Sequence, residues 1–155
     1  MTYAQWPEGT RSKVAVSWNL HRLMPSDMDF LIFLSSLAGI YGSSSQCNYS
    51  AGHTFQDALA QARTSAGCFN GTSVSLDLGW MHDIGVISER EEYQVVRENS
   101  RDMKPVYAAD LLVLLDHYCD PETPRPQSAQ DSQLLVGTVT PKTIAPATSK
   151  QYTGS

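Results

Sequence analysis

Residues 30–60, FLIFLSSLAGIYGSSSQCNYSAGHTFQDALA, decide how the chain is read. Phe30 to Leu34 is an unbroken apolar run of strand length. Such a run predicts a strand buried on both faces, and so a parallel sheet covered by helices. Ser35 and Ser36 end it, and a loop to about Gln46 carries Gly39, Gly42 and three consecutive serines. A helix is predicted from about Cys47 to Ser65, with Ala51, Phe55, Ala58, Leu59 and Ala62 on its apolar side. Gly67 supplies its stop. The Ser36 hydroxyl would then leave the carboxyl end of a strand while the Tyr49 phenol stands on the first turn of the next helix. That pairing points to carbonyl–alcohol redox chemistry.

The pattern continues outward in both directions. Upstream, Val16, Leu20, Leu23 and Met24 follow i, i+4, i+7, i+8 and predict a helix from about Thr10, closed by Pro25. Residues 1–9 read as irregular, with Pro7 and Gly9 as breakers. Downstream, Thr72–Leu76 reads as a second strand running into Asp77-Leu78-Gly79-Trp80-Met81. A short helix is expected around Glu89–Asn99, ended by Pro105. Ala108–Cys119 predicts an apolar helix with Leu111, Leu112, Leu115 and Tyr118 on one stripe. A Pro-rich connector leads to a third strand at about Gln133–Val139, and the tail from Thr140 has a disordered composition. Strands and helices that alternate in this way predict an α/β fold with right-handed crossovers. Ligands in such sheets sit beyond the carboxyl ends of the strands. Ser35-Ser36 and Leu78–Met81 should therefore line one crevice.

Composition narrows the function classes. The chain has 155 residues, enough for one domain, and a net charge of −5. Its basic residues are not clustered, so it lacks the electrostatic footprint of a nucleic-acid binder. No apolar run reaches the ~18 residues of a membrane span, and the start has no signal-peptide core. A cytoplasmic protein is expected. Cys47, Cys68 and Cys119 are an odd count without metal-like spacing, so free thiols and no metal site are expected.

The chemistry of the Ser36/Tyr49 pair needs help. A phenol ordinarily ionises near pH ~10 and is a poor proton donor at neutral pH. A neighbouring ammonium would favour the phenolate and make it a usable general acid. A serine hydroxyl could polarise the same carbonyl oxygen.

The segments KVAVSWNLH (13–21), MDFLIFLSSLAGIYG (28–42), QCNYSAGHTFQDALA (46–60) and SLDLGWM (75–81) together resemble a known domain. It is the ketoreductase domain of fungal, highly reducing type I polyketide synthases, a branch of the short-chain dehydrogenase/reductase superfamily. The resemblance runs over residues 1–139, and GTVTP (137–141) resembles the exit of that domain. It implies Ser36 as the catalytic serine and Tyr49 as the catalytic tyrosine. It also implies that the catalytic lysine comes from the preceding helix, in a Lys-Val pair ahead of Asn19-Leu20, which here is Lys13. Lys13 would hold the nicotinamide ribose and favour the Tyr49 phenolate. Gly79, Trp80 and Met81 resemble the segment whose backbone approaches the nicotinamide. Tyr41 occupies a position that bears on the stereochemistry of substrate reduction.

Two positions depart from that family. An Asn is expected four residues after the tyrosine, on the same helix face, and here that residue is His53. A protonated His53 near Lys13 would be unfavourable, so its imidazole pKa should fall in an assembled site. No G-x-G-x-x-G follows a strand, and Gly39-Ile40-Tyr41-Gly42 is misplaced for a pyrophosphate. The expected fold is the C-terminal half of a doubly wound, Rossmann-like parallel sheet, with the N-terminal nucleotide-binding half absent. Residues 1–139 would form that partial catalytic domain and residues 140–155 a tail or linker. A half sheet should be poorly stable alone. The resemblance implies a fragment of an NADPH-dependent β-ketoacyl reductase acting on intermediates tethered to an acyl carrier protein, and not expected to turn over by itself. The alternative is a catalytically inactive remnant or truncated product that at most packs against a partner supplying the other half.

Overall fold

A computed structural model describes residues 2, 5–67, 69–85, 88–89 and 103–139. Helix α1 (Gln5–Leu23) leads to strand β1 (Phe30–Ser36), a one-turn helix α2 (Ala38–Tyr41) and the long helix α3 (Cys47–Ala66). Strand β2 (Thr72–Leu78), helix α4 (Ala108–Cys119), a 3₁₀ turn (Gln130–Ser132) and strand β3 (Gln133–Val136) follow. The sheet has the order β1-β2-β3 with both pairings parallel, Ser36 opposite Leu78 and Leu78 opposite Val136. The α/β fold read from the sequence is the fold observed. The helix expected at Glu89–Asn99 and the tail from Thr140 lie outside the described residues.

Two apolar clusters sandwich the sheet. Phe33, Leu59 and Ala60, with Leu31 and Phe55, join it to α3. Val74, Leu76 and Leu78 meet Leu111, Leu114, Leu115 and Tyr118 of α4 on the other face. Every residue of β2 is buried. Its odd-numbered residues Ser73, Ser75 and Asp77 face α3, so this side of the strand is polar and depends on partners. Arg63 Nε donates to Ser73 Oγ at 2.8 Å, and Ser75 Oγ donates to Asp57 Oδ1 at 2.5 Å.

That polar seam overturns the predicted helix faces. On α3 the buried residues are Gly52, His53, Gln56, Asp57, Leu59, Ala60 and Arg63, while Ala58 and Ala62 are exposed. On α1, Val16, Leu20, Leu23 and Met24 are exposed, and the buried residue is Ser17, whose Oγ accepts Gln56 Nε2 at 3.2 Å. Apolar periodicity located both helices and, on α3, the packed Phe55 and Leu59, but it chose the wrong side of α1 and missed the buried polar residues, because the α1–α3–β2 contact is filled by paired polar groups. On α4, Leu114 rather than Leu112 completes the packed stripe, since 111, 114/115 and 118 repeat at helical spacing and Leu112 points away.

Three boundaries also differ. Helix α1 starts at Gln5, so Pro7 and Gly9 lie inside it. Pro7 falls in the first turn, where a missing N–H breaks no intrahelical bond. Gly9 lets α1 touch the Asn48 side chain, which a Cβ would strike. The Ser36–Gln46 loop contains the turn of α2, and β3 ends at Val136 rather than Val139. Gly67 stops α3 in the left-handed conformation at φ 62°, as expected. Finally, β1 is not buried on both faces. Phe30 is 41% and Leu34 45% exposed on the face turned away from α3, where β1 is an edge strand that α4 covers only in part, at Ile32.

The central strand should carry the stability. Leu76→Ala, which empties a fully buried site between β2 and α4, is expected to cost about 2–5 kcal/mol in urea unfolding. Leu34→Ala on the exposed edge should cost much less.

Candidate active site

Close approach of α1 to α3 builds the site. A Cβ on Gly52 would sit 2.9 Å from the Lys13 Cβ and 3.1 Å from its Cγ, so only glycine lets the lysine stem lie flat on α3. The Lys13 side chain is thereby half-buried, and burial alone lowers its pKa; no carboxylate is among the groups acting on it. One residue further along α3, His53 feels the Lys13 charge. One turn back, the Tyr49 ring meets the His53 ring edge-on, with centroids 4.3 Å apart. Tyr49 itself is 39% exposed, open toward solvent, whereas His53 is 1% exposed. Lys13, Tyr49 and His53 therefore form one cluster on the first two turns of α3.

Ser36 approaches from the strand exit. Its Oγ accepts the Ala38 amide at 3.2 Å, which occupies a lone pair and leaves the hydroxyl hydrogen free to donate. The preceding Ser35 Oγ donates to the His53 carbonyl at 3.5 Å, and this contact ties the end of β1 to the same turn of α3. Gly79, Trp80 and Met81 follow the neighbouring strand, at the same end of the sheet. The Gly79 amide donates to Val136 O at 2.8 Å. Trp80 is buried, and Met81 packs into the cluster beneath α4. Their side chains thus turn inward, and only backbone is offered at that strand exit. Tyr41, at the end of α2, donates its hydroxyl to Thr138 Oγ1 at 3.1 Å, apart from the Lys13–Tyr49–His53 cluster.

Electrostatics single out His53. Its pKa is pushed down to about 4, first by burial and then by the Lys13 charge, with Asp57 and a hydrogen bond involving Gln56 opposing. The sequence argument named Lys13 as the cause; burial is the larger one. Among the described residues neither ring nitrogen has a well-formed hydrogen bond, so the Gln56 contact is a weak one. The sequence reading passed over Asp57, although it lies on the same helix row as Tyr49 and His53 at i, i+4, i+8. It also left Asp77 and Ser35 without roles. Among the described residues, no group of three or more His, Cys, Asp or Glu side chains could hold a metal. Cys47 and Cys119 form no disulfide.

The KR domain family model matches residues 1–83. The chain belongs to this family. It is 46% identical over 145 residues to highly reducing polyketide synthase 2 of Gibberella zeae, covering 93% of this chain and 6% of that protein. It is 38% identical over 157 residues to the highly reducing polyketide synthase tazB of Aspergillus terreus, covering 98% of this chain and 6% of that protein. The chain thus spans a small share of the length of these fungal relatives. Among solved structures, an A1-type ketoreductase matches with a TM-score of 0.72 at 22% identity, over 90% of this chain and 27% of the other. The ketoreductase from the first module of phoslactomycin biosynthesis in a Streptomyces species matches with a TM-score of 0.70 at 24% identity, over 90% and 30%. These structural matches agree on the fold: this KR-domain chain superposes on part of a ketoreductase sheet. No described helix is long and apolar enough to cross a membrane.

A His53 titration checks the site electrostatics. By NMR the ring should titrate near pH 4, against the ordinary imidazole value of 6.5. Because the unfolded chain gains this proton first, the contribution of His53 to stability is whole above pH 6.5 and is lost as pH falls toward 4. A midpoint at or above 6.5 would mean that Lys13 and the α1–α3 contact do not surround His53 as described.

Proposed function

We propose that this KR-domain chain carries the proton-donating portion of an NADPH-dependent β-ketoacyl reductase of polyketide biosynthesis, acting on a β-keto group tethered to an acyl carrier protein. One observation supports this most: Gly52 allows Lys13 to lie beside the Tyr49/His53 turn of α3, at the end of the sheet where β1 delivers Ser36. In this reading residues 1–139 are the catalytic part and the residues after them a linker.

The residues present fit the nicotinamide-ribose end of the cofactor. Lys13 is a half-buried cation with no carboxylate partner among the described residues, suited to ribose hydroxyls, and Tyr49 is an exposed phenol on the facing turn. Backbone around Gly79–Met81 would flank the ring. When bound, the cofactor supplies the hydride. Ser36 donates its free hydroxyl hydrogen to the substrate carbonyl oxygen and polarises it. Tyr49 gives that oxygen its proton, and Lys13 lies along the same turn of α3, held there by Gly52. His53, neutral at physiological pH, holds the Tyr49 ring edge-on without adding positive charge. Tyr41 would touch the substrate from the α2 side.

The phosphate end is not provided for, since no glycine-rich loop opens a helix after a strand among the described residues. The outer edge of β1, with exposed Phe30 and Leu34, and the exposed apolar side of α1 would accept the remaining strands and helices of a ketoreductase, in cis or in trans. The same edge, together with His53 at the family's Asn position, favours the second reading, a non-catalytic remnant that only packs against such a partner.

Reduction of a model β-ketoacyl thioester by NADPH separates the two. The chain joined to or co-expressed with the remainder of a ketoreductase domain should consume NADPH, and Tyr49→Phe should lower the rate by about 10²-fold or more. Turnover unaffected by Tyr49→Phe would refute the assignment of the proton donor. A folded assembly with no turnover would establish the remnant.

A further inference from the structure

Behind the Tyr49/His53 turn lies a second cluster that the proposed reduction does not use. Asp57 of α3 and Asp77 of β2 are both buried and act on each other across the seam. Asp57 Oδ1 accepts Ser75 Oγ at 2.5 Å. Asp77 Oδ2 accepts Gln133 Nε2 at 2.6 Å, and Gln133 Oε1 accepts Gln61 Nε2 at 2.7 Å. Asp77 Oδ1 is buried with no conventional donor on it. The groups acting on Asp77 besides Gln133 are the Asp57 carboxyl and the Ser35 hydroxyl, and that hydroxyl also reaches toward the His53 carbonyl.

Two ionised carboxylates in contact inside a protein repel strongly, whereas a single proton between them turns the contact into a hydrogen bond. The same proton would satisfy the orphan oxygen of Asp77. Among the described residues, the surrounding elements offer no cation to replace it. From α3 the neighbours are His53, held neutral, and Gln56. From β1 comes Ser35, from β2 Ser75, from β3 Gln133, and from α2 only Gly39, whose Cβ position would lie 3.3 Å from Asp57 Oδ2. Lys13 of α1 acts on His53 and is absent from the groups acting on Asp77. Arg63 lies further along the seam, on Ser73.

We propose that Asp57 and Asp77 share one proton and form a clamp that fastens α3 to β2, so setting the Tyr49–His53 row in place behind the Ser36 strand exit. The three residues Tyr49, His53 and Asp57 form one row along α3, so a shift at the clamp moves the other two. Burial, with the Asp57 carboxyl beside it, pushes the Asp77 pKa up to about 7 from 3.8. The clamp is closed in acid, and a second negative charge in the seam opens it as pH rises past neutrality. This inference concerns the fold and holds whether or not the site turns over.

The test uses the full chain with ¹³C-labelled Asp carboxyls, titrated by NMR, and urea unfolding of wild type, Asp77→Asn and Asp77→Ala across the same pH range. One carboxyl midpoint should fall near 7, as a property of the pair, and the Tyr49 and His53 ring signals should follow it. The sign is set by linkage. The unfolded Asp77 loses its proton near 3.8 while the folded one keeps it to about 7, so this contribution is full in acid and is lost as pH rises between those values. Asp77→Asn keeps a donor toward Asp57 without a titrating proton. Its stability relative to wild type should therefore rise through that window and then level off. Asp77→Ala should be weakened at every pH. Every Asp carboxyl titrating below 5, or an Asp77→Asn difference independent of pH, would overturn the shared proton. Ring signals of Tyr49 and His53 that ignore the midpoint would overturn the positioning role, and Asp77→Asn against wild type decides both even where Asp77→Ala does not fold.

Discussion

Strand β2 is buried along its whole length, yet three of its seven residues are Ser73, Ser75 and Asp77. Polar side chains in that position cost several kcal/mol each unless they are paired. The structure meets the cost from α3, which brings Arg63 and Asp57 to the strand, and from β3, which brings Gln133. The position of α3 over the sheet is therefore set by hydrogen-bond geometry, with apolar fit confined to Phe33, Leu59, Ala60 and their neighbours. Once α3 is placed, Gly52 fixes how near α1 comes, and the placing of Lys13 follows.

This seam explains what could and could not be read from the sequence. Element order survived, because Phe30–Leu34, Thr72–Leu76 and Ala108–Cys119 carry strong local patterns and Gly67 ends α3 as its type dictates. The face of α1 did not survive, and that of α3 survived only at Phe55 and Leu59. Apolar periodicity assumes that the buried side of a helix is the greasy one, and here Ser17, Gln56, Asp57 and Arg63 are buried instead. A long-range partner for each cannot be seen from one residue's neighbours in sequence: Ser17 meets Gln56 39 residues away, and Asp77 meets Gln133 56 residues away. Lys13, Ser36 and Tyr49 were legible through a family likeness. His53 was placed beside them by the same likeness, while its near-complete burial and the part of Gly52 became visible only through the contact between α1 and α3.

His53 and Asp77 have opposite answers to the same problem of burial. A buried imidazole sheds its proton and a buried carboxyl keeps one, so both groups are neutral at mildly acid pH where they would be charged in water. One loses stability on acidification and the other on alkalinisation. Over mildly acid pH the two slopes oppose, and the chain's stability should vary less there than either residue alone would dictate.

Helix α1 lies in the same layer as α3 and immediately precedes β1. A parallel strand–helix–strand crossover is right-handed in nearly all sheets, yet β1–α3–β2 and β2–α4–β3 advance the same way with their helices on opposite faces, so they have opposite hands here. A strand that feeds α1 with the hand of β1–α3–β2 would join at the open side of β1, running in the same direction. The direction in which this sheet can grow is thus written in the order of its helices.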